Sequence, residues 1–431
     1  MNKSHSVREL VSSTLKGITP KYVEYSDITV LNQRCIRDNK IDYINARFHD
    51  PSKKFSKDKI VRVGDILINS TGVGTAGRCA FVRELPDNAT VITDSHILIV
   101  RVEDFYTAGC LEYSLFSIQD KLQTFMDGST GQGEFDKQIL FNVVTGLPEF
   151  HKRKAVYTLL DNIDKKIELN NQINTELEAM AKMLYDYWFI QYDFPDAQGK
   201  PYKSSGGKML YNEVLQREIP EGWGVGILSN WIQNDKTGDW GKELSEGNYT
   251  LEVYCIRGTD TNDLSSKGNI GAPKRFILPK NDHKLLAPFD FVIEISGGST
   301  NQSTGRMATI TNEVLGRFDH PLICSNFCKA VSLVDNDYFY NFRYLWQRLY
   351  DNDVLFGWEG KTSGIKNLLF DSFISNHSLP MPPKELAKKF FDFADIAHKK
   401  NQNLLKENKH LEDLRDWLLP MLMNGQVTVS Q

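Results

Sequence analysis

The sequence predicts a mixed α/β (α+β) fold in two copies, separated by an antiparallel coiled coil of two long helices. Three observations predict it. From His151 to Tyr192 apolar residues step by four and three without a Gly or Pro, which places them on one seam of a single helix. Pro383 to Leu419 repeats that spacing. Ahead of each helix, the same succession of strand-like runs and Gly-rich loops occurs, so the chain reads as duplicated.

At about 1.5 Å per residue the first helix spans on the order of 50 to 60 Å, more than a core helix needs. Its seam is Val156, Leu160, Ile163, Ile167, Asn170, Asn174, Leu177, Ala181 and Leu184. The second seam is Phe390, Ala394, Ala397, Asn401, Leu404, Asn408, Leu411 and Leu418. Asn in an apolar seam needs a polar partner in register on the facing helix, and each seam carries its own. Both helices follow a Leu-Pro pair, Leu147-Pro148 and Leu379-Pro380. The expected boundaries are therefore a first domain over 1–150, the central helix over 151–194, a linker over 195–222, a second domain over 223–382, the distal helix over 383–420 and a tail over 421–431.

Within the first domain, Val63 to Asn69, Gly77 to Val82 and Ser95 to Val102 read as strands parted by turn residues, and Cys110 to Phe125 as a helix. The second domain repeats the order. Cys255-Ile256-Arg257 answers Cys35-Ile36-Arg37, and Pro288 to Gly298 answers Val63 to Gly72. Gly305-Arg306 answers Gly77-Arg78, Lys329 to Val334 answers Ile97 to Val102, and Glu359 to Phe370 answers Asp127 to Phe141. The aromatic cluster Tyr185, Tyr187, Trp188, Phe189, Tyr192 and Phe194 reads as a packing plug rather than a base-stacking surface. Pro195 to Gly222, rich in Gly, Ser and Lys, reads as the linker.

Composition sets outer limits. A chain of 431 residues that is 41% hydrophobic and 25% charged describes ordinary globular domains. No run approaches a membrane span, Met1 to Arg8 is not a signal peptide, and the cytoplasm is the expected location. The net charge of −4 means that any nucleic acid must be met by local basic loops. Six scattered cysteines make no CxxC pair, so Cys324 and Cys328 read as strand thiols and no metal site is expected.

Gly72 to Gly77 spells GxGxxG, but the R-C-A-F-V that follows is a strand pattern, whereas dinucleotide binding needs a helix N-terminus there. The loop is expected to shape a hairpin. Thr71, Thr75 and Arg78 in one half correspond to Ser299, Thr300, Asn301, Gln302 and Arg306 in the other, and all are suited to base edges and phosphates. A second matched set is Ser129, Thr130, Gln132 and Lys137 with Lys361, Thr362, Ser363 and Lys366. Basic clusters at Lys53, Lys54, Lys57 and Lys59, and at Lys274, Arg275 and Lys280, would suit phosphates. Solvated turns and faces explain the same residue types. Recurrence at matching places is what raises the DNA reading to equal standing.

No catalytic residue is identified. Walker A, HExxH and GxSxG motifs are absent, as is the Asn/Asp-Pro-Pro-Tyr/Phe tetrad with which amino-methyltransferases hold a flipped base. A DNA reader, a coiled-coil adaptor with two protein- or glycan-binding modules, and an enzyme built on the Gly-rich loop remain open from the residues alone.

The run Leu160 to Met209 resembles the central region of the specificity subunits of type I restriction-modification enzymes, and the G-D-I-L-I, D-F-V-I-E-I-S-G-G and Gly-Arg elements resemble the framework of their target-recognition domains. The resemblance spans essentially the whole chain. It departs at the start, where S-V-R-E-L-V and L-K-G-I-T-P replace a Trp-containing strand. What it implies is a non-catalytic subunit that holds two target-recognition domains apart on paired helices, each reading one half of a split double-stranded DNA site. Two methyltransferase (M) subunits would dock on those helices, bring S-adenosylmethionine and methylate one adenine per half. Two restriction/translocase (R) subunits join in systems that cleave. No cofactor is expected on this chain. Leu160, Ile163, Ile167, Asn170, Asn174, Leu177, Leu184, Phe390, Ala397, Leu404, Asn408, Leu411 and Leu418 are the expected pairing and docking residues, and the rigid pair would act as a ruler for the unread spacer.

Overall fold

A computed structural model describes residues 4–72, 74–122, 135, 137–297, 301–362 and 365–429. The chain divides into two compact units, Met1–Lys166 with Leu411–Gln431, and Ile167–His410.

In the first unit β1 (Ser4–Ser6), β2 (Ser13–Lys16), β3 (Ile28–Leu31), β4 (Arg47–His49), β5 (Ile66–Asn69), β6 (Cys79–Phe81), β7 (Thr90–Thr93) and β8 (Ile97–Arg101) precede α1 (Phe105–Ser117), α2 (Lys137–Asn142), β9 (Val144–Gly146) and the start of α3 (Arg153–Tyr185). One sheet has the order β2-β8-β5-β6. In a second, β3 lies between β7, parallel to it, and β4, antiparallel. The strands are shorter than the apolar runs suggest because turn chemistry trims them. Gly64 takes the left-handed conformation at φ +95°, and Asp65 caps the Arg62 amide at 2.9 Å just before β5. α1 starts earlier than expected, where the Asp104 carboxylate accepts from the Thr107 amide at 2.7 Å. The core joins α1 to the sheet through Tyr113, Phe81, Ile66 and Val100, and to the helices through Val156, Leu160 and Leu419.

The second unit holds the rest of α3, a hairpin of β10 (Met209–Asn212) and β11 (Arg217–Pro220), then β12 (Gly224–Ile227), β13 (Ile232–Thr237), β14 (Leu251–Ile256), β15 (Lys274–Ile277), β16 (Phe291–Glu294), β17 (Met307–Thr309), β18 (Leu322–Cys324) and β19 (Cys328–Leu333). It continues with α4 (Phe339–Asp351), β20 (Glu359–Thr362), β21 (Ile365–Leu368), α5 (Phe370–Asn376), β22 (Ser378–Met381) and α6 (Lys384–Met423). Its main sheet has the order β13-β19-β16-β17, the same topology as β2-β8-β5-β6. β14 lies between a parallel β18 and an antiparallel β15, as β3 does between β7 and β4.

The ladders give a residue-by-residue correspondence. Ile97 stands opposite Asn69, and Cys328 opposite Glu294. Ile66 stands opposite Phe81, and Phe291 opposite Thr309. Gly77-Arg78 therefore matches Gly305-Arg306, Gly64 matches Phe289, itself left-handed at φ +70°, and Asp65 matches Asp290. Gly17 matches Gly238, and at each a Cβ would lie about 2 Å from a carbonyl oxygen of the neighbouring strand end, Asp94 or Ser325. Two sequence equivalences are corrected. Leu31 pairs with Thr93 as Ile256 pairs with Cys324, so Val30-Leu31, not Cys35-Ile36, corresponds to Cys255-Ile256. Lys329 corresponds to Leu98 rather than Ile97, a one-residue shift that would have reversed every side chain.

The stretch read as a linker is folded. Besides its hairpin, the Asp193 carboxylate accepts from the Ser204 amide at 2.7 Å and hydroxyl at 2.5 Å, and Phe194 stacks on Tyr202 at 4.7 Å. The aromatic end of α3 is packing: Tyr185 and Phe189 contact Phe390, and Tyr192 contacts Trp223. All six cysteines are free and buried, with Cys324 and Cys328 on neighbouring strands.

Within the second unit α3 and α6 run antiparallel, since Tyr185 meets Phe390 while Asn170 meets Asn408. Asn170 Nδ2 donates to Asn408 Oδ1 at 2.8 Å, and Asn408 Nδ2 to Asn171 Oδ1 at 2.8 Å. In the first unit Arg415 joins Asp164 at 2.8 Å. Leu160, Ile163, Ile167, Asn170, Asn174, Phe390, Leu404 and Asn408 are buried, while Leu177, Leu184, Leu411 and Leu418 are half-buried. Ala397 is also half-buried, and its neighbour His398 takes the inner place, with Thr311 Oγ1 at 3.2 Å. The helix continues past Pro420 to Met423, further than the expected end.

Candidate nucleic-acid interface

Each main sheet has one end where β5, or β16, leaves and β8, or β19, enters. The polar loops gather there. In the first unit Ser70 N donates to the His96 carbonyl at 2.8 Å, and Phe135 N to the Ser70 carbonyl at 2.7 Å. In the second, Ile295 N donates to the Phe327 carbonyl at 2.8 Å, and Leu368 N to the Ile295 carbonyl at 2.9 Å. These identical backbone contacts bring the two sets together within each unit, the end of β5 beside Phe135 and the end of β16 beside β21.

Gly72 and residues 74–77 lie in the β5–β6 turn, with Gly72, Gly74 and Gly77 at positive φ, and they lead into a strand. Thr71 Oγ1 accepts from Gln33 Nε2 and lies 2.8 Å from His96 Nδ1. Thr75 Oγ1 donates back to the Thr71 carbonyl at 3.2 Å. Arg78 is half-buried, and among the described residues no carboxylate pairs with it. Lys137 is exposed at the start of α2.

The backbone contacts shared by the two loop ends also match Leu368 to Phe135, so Lys137 corresponds to Phe370 and not, as expected from the sequence, to Lys366. In the second unit Arg306, the counterpart of Arg78, and Lys366 are already neutralised. Arg306 makes two bonds to Glu294, at 2.8 and 2.5 Å, which raise its pKa despite burial. Lys366 pairs with Glu359 at 3.0 Å, donates to the Gln302 carbonyl at 3.2 Å and lies 4.5 Å over the Phe356 ring. Gln302 Nε2 donates to Tyr350 Oη at 3.1 Å. Asn301 lies in the same turn region. Arg306 and Lys366 are therefore corrected from free phosphate contacts to pieces of the loop's scaffold. Lys361 and Thr362 sit on β20, opposite Lys366 and Ile365. Ser129, Thr130, Gln132, Ser299, Thr300 and Ser363 lie outside the described residues.

The basic clusters are placed differently. β4 starts beside the loop end, where Asn32 Nδ2 donates to the Asn45 carbonyl, and runs away from it, so the exposed Lys53 and Lys54 are carried to the opposite end of their sheet. Lys274 is paired with Glu252 at 3.3 Å. Arg275 is paired with Glu243 at 2.9 Å and lies 4.3 Å over the Trp240 ring. Sequence reasoning missed Gln33, His96 and Phe327, and also the exposed Arg34 and Arg37 beside them. The signal for His96 was its place just before the central strand.

The comparisons with known proteins bear on what this repeated, re-dressed end does. A family model for the type I restriction modification DNA specificity domain matches residues 21–179. The type I restriction enzyme HindI specificity subunit of Haemophilus influenzae is 31% identical over 418 residues, covering 86% of this chain and 88% of that one. This chain belongs to the type I restriction enzyme specificity subunits. The MjaIX specificity subunit of Methanocaldococcus jannaschii is 23% identical over 341 residues, with 74% of this chain and 69% of that one covered. The crystal structure of a type I restriction-modification S subunit from M. genitalium shares the fold, with a TM-score of 0.57, 14% identity and coverage of 100% of this chain and 96% of that one. As a type I specificity subunit, the chain is the DNA-recognition component of a restriction-modification system and not its catalytic one. Among the described residues no helix is long and apolar enough to cross a membrane.

Proposed function

We propose that this specificity subunit reads a bipartite DNA site, one half with each loop end. The observation that carries this is the shared ladder register with different side chains upon it: Asn69 against Glu294, Thr71 against Ser296 and His96 against Phe327. A constant frame with changed contact residues is what two unlike half-sites require. The candidate DNA-facing side chains are Thr71, Thr75 and Arg78 in the first unit and Asn301 and Gln302 in the second.

α3 and α6 would serve as spacer and docking rod. Within the second unit Asn170 meets Asn408 and Tyr185 meets Phe390, yet Met180, Met183 and Ile396 are 54%, 71% and 71% exposed, apolar groups that a partner would cover. Two methyltransferase subunits, carrying S-adenosylmethionine, would dock there and methylate an adenine in each half, joined by restriction/translocase subunits in a system that cleaves. The place of action would be the cytoplasm.

Mapping methylated adenines genome-wide with and without this gene tests the reading. Deletion should erase one bipartite motif and leave others, and an unchanged set of motifs overturns it. Inserting one heptad into both helices adds about 10 Å, so the preferred spacer should grow by roughly three base pairs. Methylation at the original spacer would remove the ruler from the proposal.

A further inference from the structure

The turn that enters the central strand is built alike in both units and ends in unlike exposed side chains. In the first unit it runs Asp94-Ser95-His96-Ile97, closed by Ile97 N to the Asp94 carbonyl at 3.2 Å. In the second it runs Ser325-Asn326-Phe327-Cys328, closed by Cys328 N to the Ser325 carbonyl at 2.9 Å. Each turn is tied to the parallel strand beside it, by Asp94 N to the Leu31 carbonyl and Ser325 N to the Ile256 carbonyl, both at 2.9 Å. His96 and Phe327 thus occupy one structural position on a rigid support, next to the Gly-rich loops. Rigid placement is what a base contact needs, because a side chain on a mobile loop loses its discrimination to ordering entropy.

Phe327 is 55% exposed and touches no other ring among the described residues, so it contributes little to its own unit's core. An aromatic group held out on a tight turn suits an apolar feature of a base. In the major groove that feature is the thymine C5-methyl. His96 is different. Gln33 donates to Thr71 Oγ1, which lies 2.8 Å from His96 Nδ1 and can donate its own hydrogen there. In that tautomer the ring proton sits on Nε2, which has no partner among the described residues and suits an acceptor such as purine N7.

We propose that His96 and Phe327 are equivalent specificity-determining residues, His96 donating to purine N7 in one half-site and Phe327 packing on a thymine methyl in the other. The assignment rests on the DNA-reading role proposed above, and it adds which base atoms are read and by which side chains.

The test uses the full chain purified with its methyltransferase subunit and duplexes of the mapped site. Thymines are replaced one at a time by uracil, which lacks the methyl, and purines by 7-deazapurines, which lack N7. The wild-type complex should lose about fivefold or more in affinity at one uracil position in one half, and similarly at one 7-deazapurine position in the other. F327A should bind the thymine duplex about as weakly as wild type binds the uracil one, with no further loss on uracil, and H96A should behave likewise toward the 7-deazapurine. F327L, which keeps an apolar contact, should retain part of the uracil sensitivity. Equal sensitivity in wild type and variant, or none at any position, overturns the assignment. A wild-type complex that fails to distinguish the mapped site from a scrambled duplex overturns the DNA-reading role itself, and the assignment falls with it.

Discussion

Replacing Glu294 by alanine is expected to destabilise the second unit by about 3–5 kcal/mol, the usual cost of leaving one member of a buried ion pair alone. Glu294 is only 6% exposed and Arg306 17%, and the guanidinium is held by two bonds to the same carboxylate. Gly258 packs against the same carboxylate, and a Cβ there would lie 2.4 Å from Glu294 Oε1. The double variant E294A/R306A should be less destabilised than the sum of its singles, because neither leaves an orphan charge. At the matching place in the first unit, Asn69 donates to the Gln33 carbonyl at 3.1 Å and Arg78 has no carboxylate among the described residues. R78A should therefore cost little stability and weaken DNA binding, whereas R306A should lose binding mainly by losing its loop. Urea unfolding followed by tryptophan fluorescence measures the second unit selectively, since every tryptophan but Trp417 lies within it. A shift below 1 kcal/mol for E294A would mean that water reaches the pair.

The helices were legible because a seam with steps of four and three leaves few alternatives, and because Asn170 and Asn408 sit in their seams as each other's partner. Other features depended on distant pairing. Cys-Ile-Arg occurs twice in the sequence, yet the strand equivalence is set by Thr93 and Cys324, residues far along the chain, and it passes over Cys35. Composition suggested a flexible linker after Pro195, but composition does not show that one carboxylate, Asp193, collects two donors from Ser204. The cations of the candidate site were visible as residue types, while their neutralisation by Glu294 and Glu359 was not. Lys53 and Lys54 were plausible phosphate contacts until the direction of β4 carried them elsewhere. A charge counted along a sequence is a candidate contact only when the fold leaves it unpaired and facing the ligand.

Raising the pH from 5 to 8.5 is expected to weaken the first unit by an amount on the order of 4 kcal/mol, through one buried carboxyl on α1. Glu112 is fully buried beneath Asn39 and Cys79. Burial pushes its pKa up to about 8; Arg83 and Arg415 oppose the shift, while Asp164 and Asp161 add to it. The unfolded chain gives up this proton near 4.5 and the folded one only near 8, so between those values folding requires proton uptake and stability falls as pH rises. E112Q should match the wild type at pH 4.5 and exceed it at pH 8.5. The second unit carries the opposite dependence. His398 is buried, and burial, followed by Arg343, Arg317 and Lys399, lowers its pKa from 6.5 to about 3. The unfolded chain binds that proton first, so the second unit loses stability as pH falls below 6.5. Urea unfolding followed by far-UV circular dichroism, with tryptophan fluorescence marking the second unit, should show the two transitions moving in opposite directions between pH 5 and 8.5. Parallel movement, or an E112Q variant with undiminished alkaline loss, would place the pH dependence outside these two residues.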